Sequence, residues 1–139
     1  MILLLKVSTM SKKKIFSLEF NFHCSPQLLF QYLSTPSGLS EWFADDVNSR
    51  GENFTFIWDD SEESAKLIQK KNNERVRFKW KIDEEENNEY YFEFKIQVDD
   101  LTNDVSLIIT DFAEEDELEE SKMLWDNLIA SLKQILGSS

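Results

Sequence analysis

Between residues 47 and 112 the chain keeps one hydrophobic period, and that period is two. The segments NFTFIWDD, ESAKLIQKK, ERVRFKWKI, NEYYFEFKIQV and DVSLIITDF each alternate apolar with polar side chains, as strands do when one face is buried and the other wet. One of them puts Val76, Phe78, Trp80 and Ile82 on one side and Arg77, Lys79 and Lys81 on the other. The next sets Tyr90, Phe92, Phe94, Ile96 and Val98 against Tyr91, Glu93, Lys95 and Gln97. The breaks DDSEE, KKNNE, DEEENNE and DDLTND are short and polar, which suits the hairpin connections of an antiparallel meander.

The flanking segments supply helices. Phe16, Leu18, Phe20 and Phe22 alternate with Ser17, Glu19 and Asn21 and predict one more strand. Ser25 followed by Pro26 is a helix start, and Leu28, Leu29, Tyr32 and Leu33 have the spacing of its buried face. Pro36 holds Thr35 extended and so ends that helix. Thr35 or Ser37 then caps a second, short one carrying Leu39, Trp42 and Phe43. A last helix starts near Asp116, where Asp116 and Glu119 resemble a capping box and the acidic run 114–120 suits the positive end of the dipole. Leu118, Trp125, Leu128, Leu132 and Ile135 form its apolar face, Leu124, Ile129 and Leu136 widen it, and Gly137 stops it. The expected fold is α+β: a curved antiparallel sheet of about six to seven strands wrapped around a long C-terminal helix, with two short helices after the first strand.

A chain of 139 residues buries one core. Residues 12–139 are expected to form a single domain, with 1–11 an N-terminal extension that is poorly ordered or precedes an alternative start at Met10. The net charge of −12 and pI near 4.5 exclude nucleic acid and anionic membrane as partners, since both are bound through cations. The apolar run in MILLLK is too short for a signal peptide or a membrane span. A single cysteine, Cys24, forms no internal disulfide, which fits a reducing compartment; the expected location is cytoplasmic.

Chemistry-bearing patterns are few. Gly38, Gly51 and Gly137 are too scattered for a phosphate-cradling loop. His23 and Cys24, adjacent at a strand–helix junction, point two ways and make no catalytic or metal pair. In DDVNSRGENFTFI, Asp46, Asn48 and Gly51 suit a calcium loop, but Arg50 and Ile57 stand where ligands are needed. The paired carboxylates fall in turns. Only Tyr90, Tyr91 and Thr110 bring polarity to the expected inner faces, so no catalytic residue, metal or cofactor is assigned.

The phrase formed by Thr35, Pro36, Leu39, Trp42 and Phe43, followed by a sheet and by a closing helix with an early tryptophan, Trp125 in MLWDNLIASL, resembles the START-like helix-grip superfamily. Within it, the chain is similar to the branch related to the C-terminal domain of the Hsp90 ATPase activator, over residues 12–137. The superfamily includes lipid and hormone carriers, polyketide cyclases and aromatases, and Hsp90-associated domains. The resemblance implies that the short helices clasp the open side of the sheet, with Trp42 and Phe43 closing one end of a groove under the terminal helix.

The expected function is non-enzymatic binding of a small hydrophobic molecule in that groove. Its expected lining is Trp42, Phe43, Phe56, Trp58, Phe78, Trp80, Phe92, Phe94, Trp125 and Ile129. The alternative is a protein-interaction module with a protein partner, of the chaperone-associated kind. A cyclase-like or hydrolytic enzyme stands third, and needs an inward acid or base such as a re-registered Glu93, Lys95 or Arg77.

Overall fold

In a computed structural model describing residues 12–138, the chain forms a seven-stranded, curved antiparallel sheet with a long C-terminal helix. The N-terminal extension expected over residues 1–11 lies outside the described residues. Strand β1 (Lys13–Phe22) leads into α1 (Pro26–Ser34) and the single turn α2 (Pro36–Leu39). The meander follows as β2 (Asp46–Arg50), β3 (Asn53–Trp58), β4 (Ser61–Lys71), β5 (Arg75–Trp80), a short α3 (Lys81–Glu85), β6 (Phe92–Val98) and β7 (Val105–Glu114). A 3₁₀ turn (Glu115–Glu117) then delivers α4 (Leu118–Leu136).

The sheet order is β1-β7-β6-β5-β4-β3-β2, so β1 closes onto the end of the meander and β1 and β2 are the edges. Ser25 Oγ accepts from the Leu28 amide at the start of α1. The Thr35 hydroxyl then serves two helices: it donates to the Gln31 carbonyl at the end of α1, 2.7 Å away, and accepts from the Gly38 amide at the start of α2. Thr35 itself is extended, φ −114° and ψ 150°, as a residue before proline should be.

Several elements depart from expectation. In α1 the buried residues are Leu29, Phe30, Leu33 and Ser34, while Leu28 is 41% exposed. Asp46–Arg50, inside the segment tested as a calcium loop, pairs with β3 and turns at Gly51 with φ +60°. The segment DEEENNE joins the antiparallel pair β5 and β6, but not as a short turn: Asp83, Glu84 and Glu85 belong to α3, which ends β5 at Trp80 and takes Ile82 out of the strand. Tyr90 and Tyr91 precede β6 rather than belong to it. Asp116 lies in the 3₁₀ turn, and α4 begins after Glu117 without a side-chain cap. On α4 the buried line is Ser121, Trp125, Ile129 and Leu132; Ile135 is exposed.

Rings fill the space between sheet and helix. Phe43 lies within ring contact of Trp42, Phe56, Trp58, Phe92, Phe94 and Trp125. Phe56, Phe78, Phe92 and Phe94 are fully buried, and Phe78 stacks on Phe92 with centroids 5.1 Å apart. Such offset and edge-on packing leaves little void. The opposite sheet face holds Glu93, buried against Arg77 (Nη2 to Oε1, 2.8 Å) and beside Arg75, with the Arg77 guanidinium 3.9 Å from the Tyr91 ring centre. Glu93 and Arg77 therefore neutralise one another away from the helix.

Candidate functional site

Ring packing leaves a gap where the first half of α4 passes α3 and the adjoining ends of β5 to β7. A cavity of about 60 Å³ opens there, bounded by Phe43, Trp80, Phe92, Leu124, Trp125 and Leu128 on its apolar side. Lys13, Asp83, Tyr90, Tyr91, Asp111, Phe112 and Ser121 complete its wall. That volume holds a few waters or one compact organic group.

Asp111 is the centre of this arrangement. The β6–β7 register places Ile109 opposite Phe94 and Thr110 opposite Glu93. Ile109 thus faces the helix, and Asp111, two residues on, faces it too. Its Oδ2 accepts the Trp125 indole N–H at 2.9 Å, and its Oδ1 accepts the Phe112 amide at 2.8 Å. Loss of hydration raises the Asp111 pKa to about 6, against the lowering effect of those two bonds and of Lys13.

Asp83, only 4% exposed, reaches the same cavity from α3. Burial raises its pKa too, opposed by the Asn88 side-chain amide at 3.1 Å and by Lys13 and Lys79. Lys13 approaches from the edge strand: its backbone amide donates to the Tyr90 hydroxyl at 3.0 Å, and its ammonium stands 5.3 Å from the Tyr90 ring centre. Ser121, 5% exposed, has no hydrogen-bond partner for its Oγ among the described residues. A buried hydroxyl left unpaired is costly, and this one is in the cavity wall.

The ten residues expected to line a groove divide here. Phe43, Trp80, Phe92 and Trp125 border the cavity. Trp42, Phe56, Phe78, Phe94 and Ile129 are buried in the packed core, and Trp58 is packed against it. The Trp42 and Trp58 indoles donate to the backbone carbonyls of Tyr32 and Phe43. The expectation that inner faces carry almost no acid or base is corrected by Asp111 and Asp83. Thr110 is on the other face, its hydroxyl 3.1 Å from that of Ser17. The alternation Val105, Leu107, Ile109 already puts Asp111 in phase with the buried side of β7. Asp83 had no such signal, because nothing in its acidic surroundings marks a helix.

Away from the cavity, His23 donates its backbone N–H to Ser138 Oγ at 2.7 Å, and burial pushes the Cys24 thiol up. Among the described residues, no tryptophan or phenylalanine is exposed. Among the described residues, no helix is long and apolar enough to cross a membrane.

The family model described as a START-like superfamily domain matches residues 10–138. Among solved structures, the chain is similar to BfR322 from Bacteroides fragilis, with 36% identity over 90% of this chain and 92% of that one and a TM-score of 0.65. The Aha1 dimer from Colwellia psychrerythraea shares the fold at 19% identity, covering 86% and 93% of the two chains, with a TM-score of 0.73. Protein MLL2253 from Mesorhizobium loti does so at 14% identity, covering 89% and 97%, with a TM-score of 0.72. Comparison with curated proteins finds no match.

Proposed function

The chain belongs to the START-like superfamily, and from that premise we propose that it is a binding domain for a compact small molecule, held between α4 and the sheet. The observation that carries this is the gap itself: beside an interior filled by rings, a cavity opens against residues that offer hydrogen bonds, Asp111, Asp83 and Ser121. A mostly apolar wall with a few convergent polar groups is the common construction of small-molecule sites. The volume favours a small molecule, or one moiety of a larger one, over a lipid chain.

Native mass spectrometry of the protein taken from its own cells tests this. An extra mass released on denaturation supports it; bare protein in every preparation contradicts it.

A second reading is favoured by Asp111 alone. A carboxyl titrating near 6 beside a cavity is suited to general acid–base work. An added ligand recovered chemically changed, with Asp111→Asn abolishing the change, would make the protein an enzyme. The interaction-module alternative draws support from the Aha1 likeness in fold and the net charge of −12. It draws none from exposed aromatic rings.

A further inference from the structure

We propose that the ligand of this cavity carries a cationic group, an alkyl- or arylammonium, seated against the Trp80, Trp125 and Tyr90 rings with Asp111 and Ser121 taking its N–H bonds. This rests on the cavity being a ligand site and specifies what enters it.

The acidic part of the wall keeps open acceptors. Asp111 accepts one protein hydrogen bond on each oxygen, and a carboxylate has capacity for about four, so lone pairs on both oxygens remain open. Asp83 accepts the Asn88 amide and has capacity to spare. Ser121 Oγ is unpartnered among the described residues and nine-tenths buried. The indole N–H of Trp125 is already used. A neutral apolar ligand would strip water from these acceptors and replace it with nothing, and an anion would add repulsion from two carboxylates.

The rings agree with the carboxylates. Trp80 and Phe92 form a tilted pair 4.9 Å apart, and Phe43 stacks on Trp125 at 5.8 Å. Aromatic faces carry partial negative charge and attract ammonium groups. Lys13 demonstrates this within the site, its ammonium standing over Tyr90. In the cavity wall two carboxylates face one ammonium, with Lys79 and Glu86 acting on Asp83 from outside it. A second cation is the ligand that this imbalance accommodates.

Protonation should oppose the ligand. The groups acting on Asp111 are Lys13 and Asp83, and those on Asp83 are Lys13, Lys79 and Glu86; Tyr90 and Tyr91 also border the cavity, the Tyr91 ring lying against Arg77. As Asp111 takes up its proton below about 6, a bound cation loses its counter-charge.

The test titrates the whole chain with benzylamine, benzyl alcohol and benzoate, following tryptophan fluorescence and calorimetry. Benzylamine is expected to bind about tenfold more tightly than benzyl alcohol, and benzoate more weakly than either. Benzylamine affinity is expected to fall at acid pH, and Asp111→Asn to reduce it about tenfold while leaving benzyl alcohol little changed. Should Asp111→Asn fail to fold, Ser121→Ala serves: it should weaken benzylamine without lowering Tm, since the free protein leaves that hydroxyl unpaired. Benzyl alcohol or benzoate binding as tightly as benzylamine overturns the cation proposal and leaves the ligand site standing. Silence from all three probes also overturns it, and the ligand site falls with it only if native mass spectrometry finds bare protein.

Discussion

The indole of Trp125, in the first half of α4, donates to Asp111 Oδ2 on the inner face of β7 at 2.9 Å. This bond ties the terminal helix to the sheet at the wall of the cavity. It also makes the tryptophan a reporter for the acid. The Trp125 indole N–H resonance is expected to titrate with a midpoint of about 6, following Asp111. The Trp42 and Trp58 indoles, bonded to backbone carbonyls, should not follow it. Proton–nitrogen spectra across an acid titration decide the matter.

The same carboxyl sets a sign for stability against pH. An unfolded aspartate titrates at about 3.9, whereas Asp111 in the fold titrates at about 6. Between those values the folded chain holds a proton that the unfolded chain has released. The Asp111 contribution therefore falls as pH rises through this window. Asp83, also raised, acts in the same direction. Urea denaturation from pH 4 to 7 should give a shallower decline for Asp111→Asn than for the unaltered chain, whatever offset the lost hydrogen bond adds. An unchanged slope would mean that Asp111 does not hold a raised pKa in the fold.

Phe43 joins the turn after α2 to the sheet and the helix through its ring contacts with Phe56, Phe92 and Trp125. Phe43→Ala is expected to cost about 3–5 kcal/mol in chemical denaturation, with Phe43→Leu costing less. A loss below about 1 kcal/mol would mean that the ring cluster relaxes around the gap.

Gly38 sits where α2 folds back on α1. A Cβ there would lie 2.2 Å from the Gln31 carbonyl oxygen and 2.6 Å from the Tyr32 Cα, both backbone atoms. Gly38→Ala should destabilise by about 1–3 kcal/mol despite the better helix propensity of alanine. Calorimetry showing an equal or higher Tm would contradict that close approach.

Much of this was legible in the chain because the physical signals were local. Ser25-Pro26 and Thr35-Pro36 mark helix starts through hydroxyl caps and a fixed φ, and both hydroxyls cap as expected. Alternation laid out the inner faces of β5 and β6. The site was harder. Asp111 keeps the phase of Leu107 and Ile109, yet an aspartate at a strand end is usually solvated, and only the nearby Trp125 indole explains its inward position. Asp83 and Ser121 meet Asp111 through tertiary packing, which no periodicity encodes. Phe56, Phe78 and Phe94 alternate just as Phe92 does, but sequence does not distinguish a ring that lines a gap from one that fills it.

In the proposed function a ligand enters at the cavity beside Asp111 and Trp125. The most direct measurement records the four indole N–H resonances of ligand-free protein before and after adding a small-molecule extract of the cells that make it. Trp80 and Trp125 border the cavity, so their resonances should move while those of Trp42 and Trp58 stay. Four unmoved resonances, or movement confined to Trp42 and Trp58, would contradict the claim.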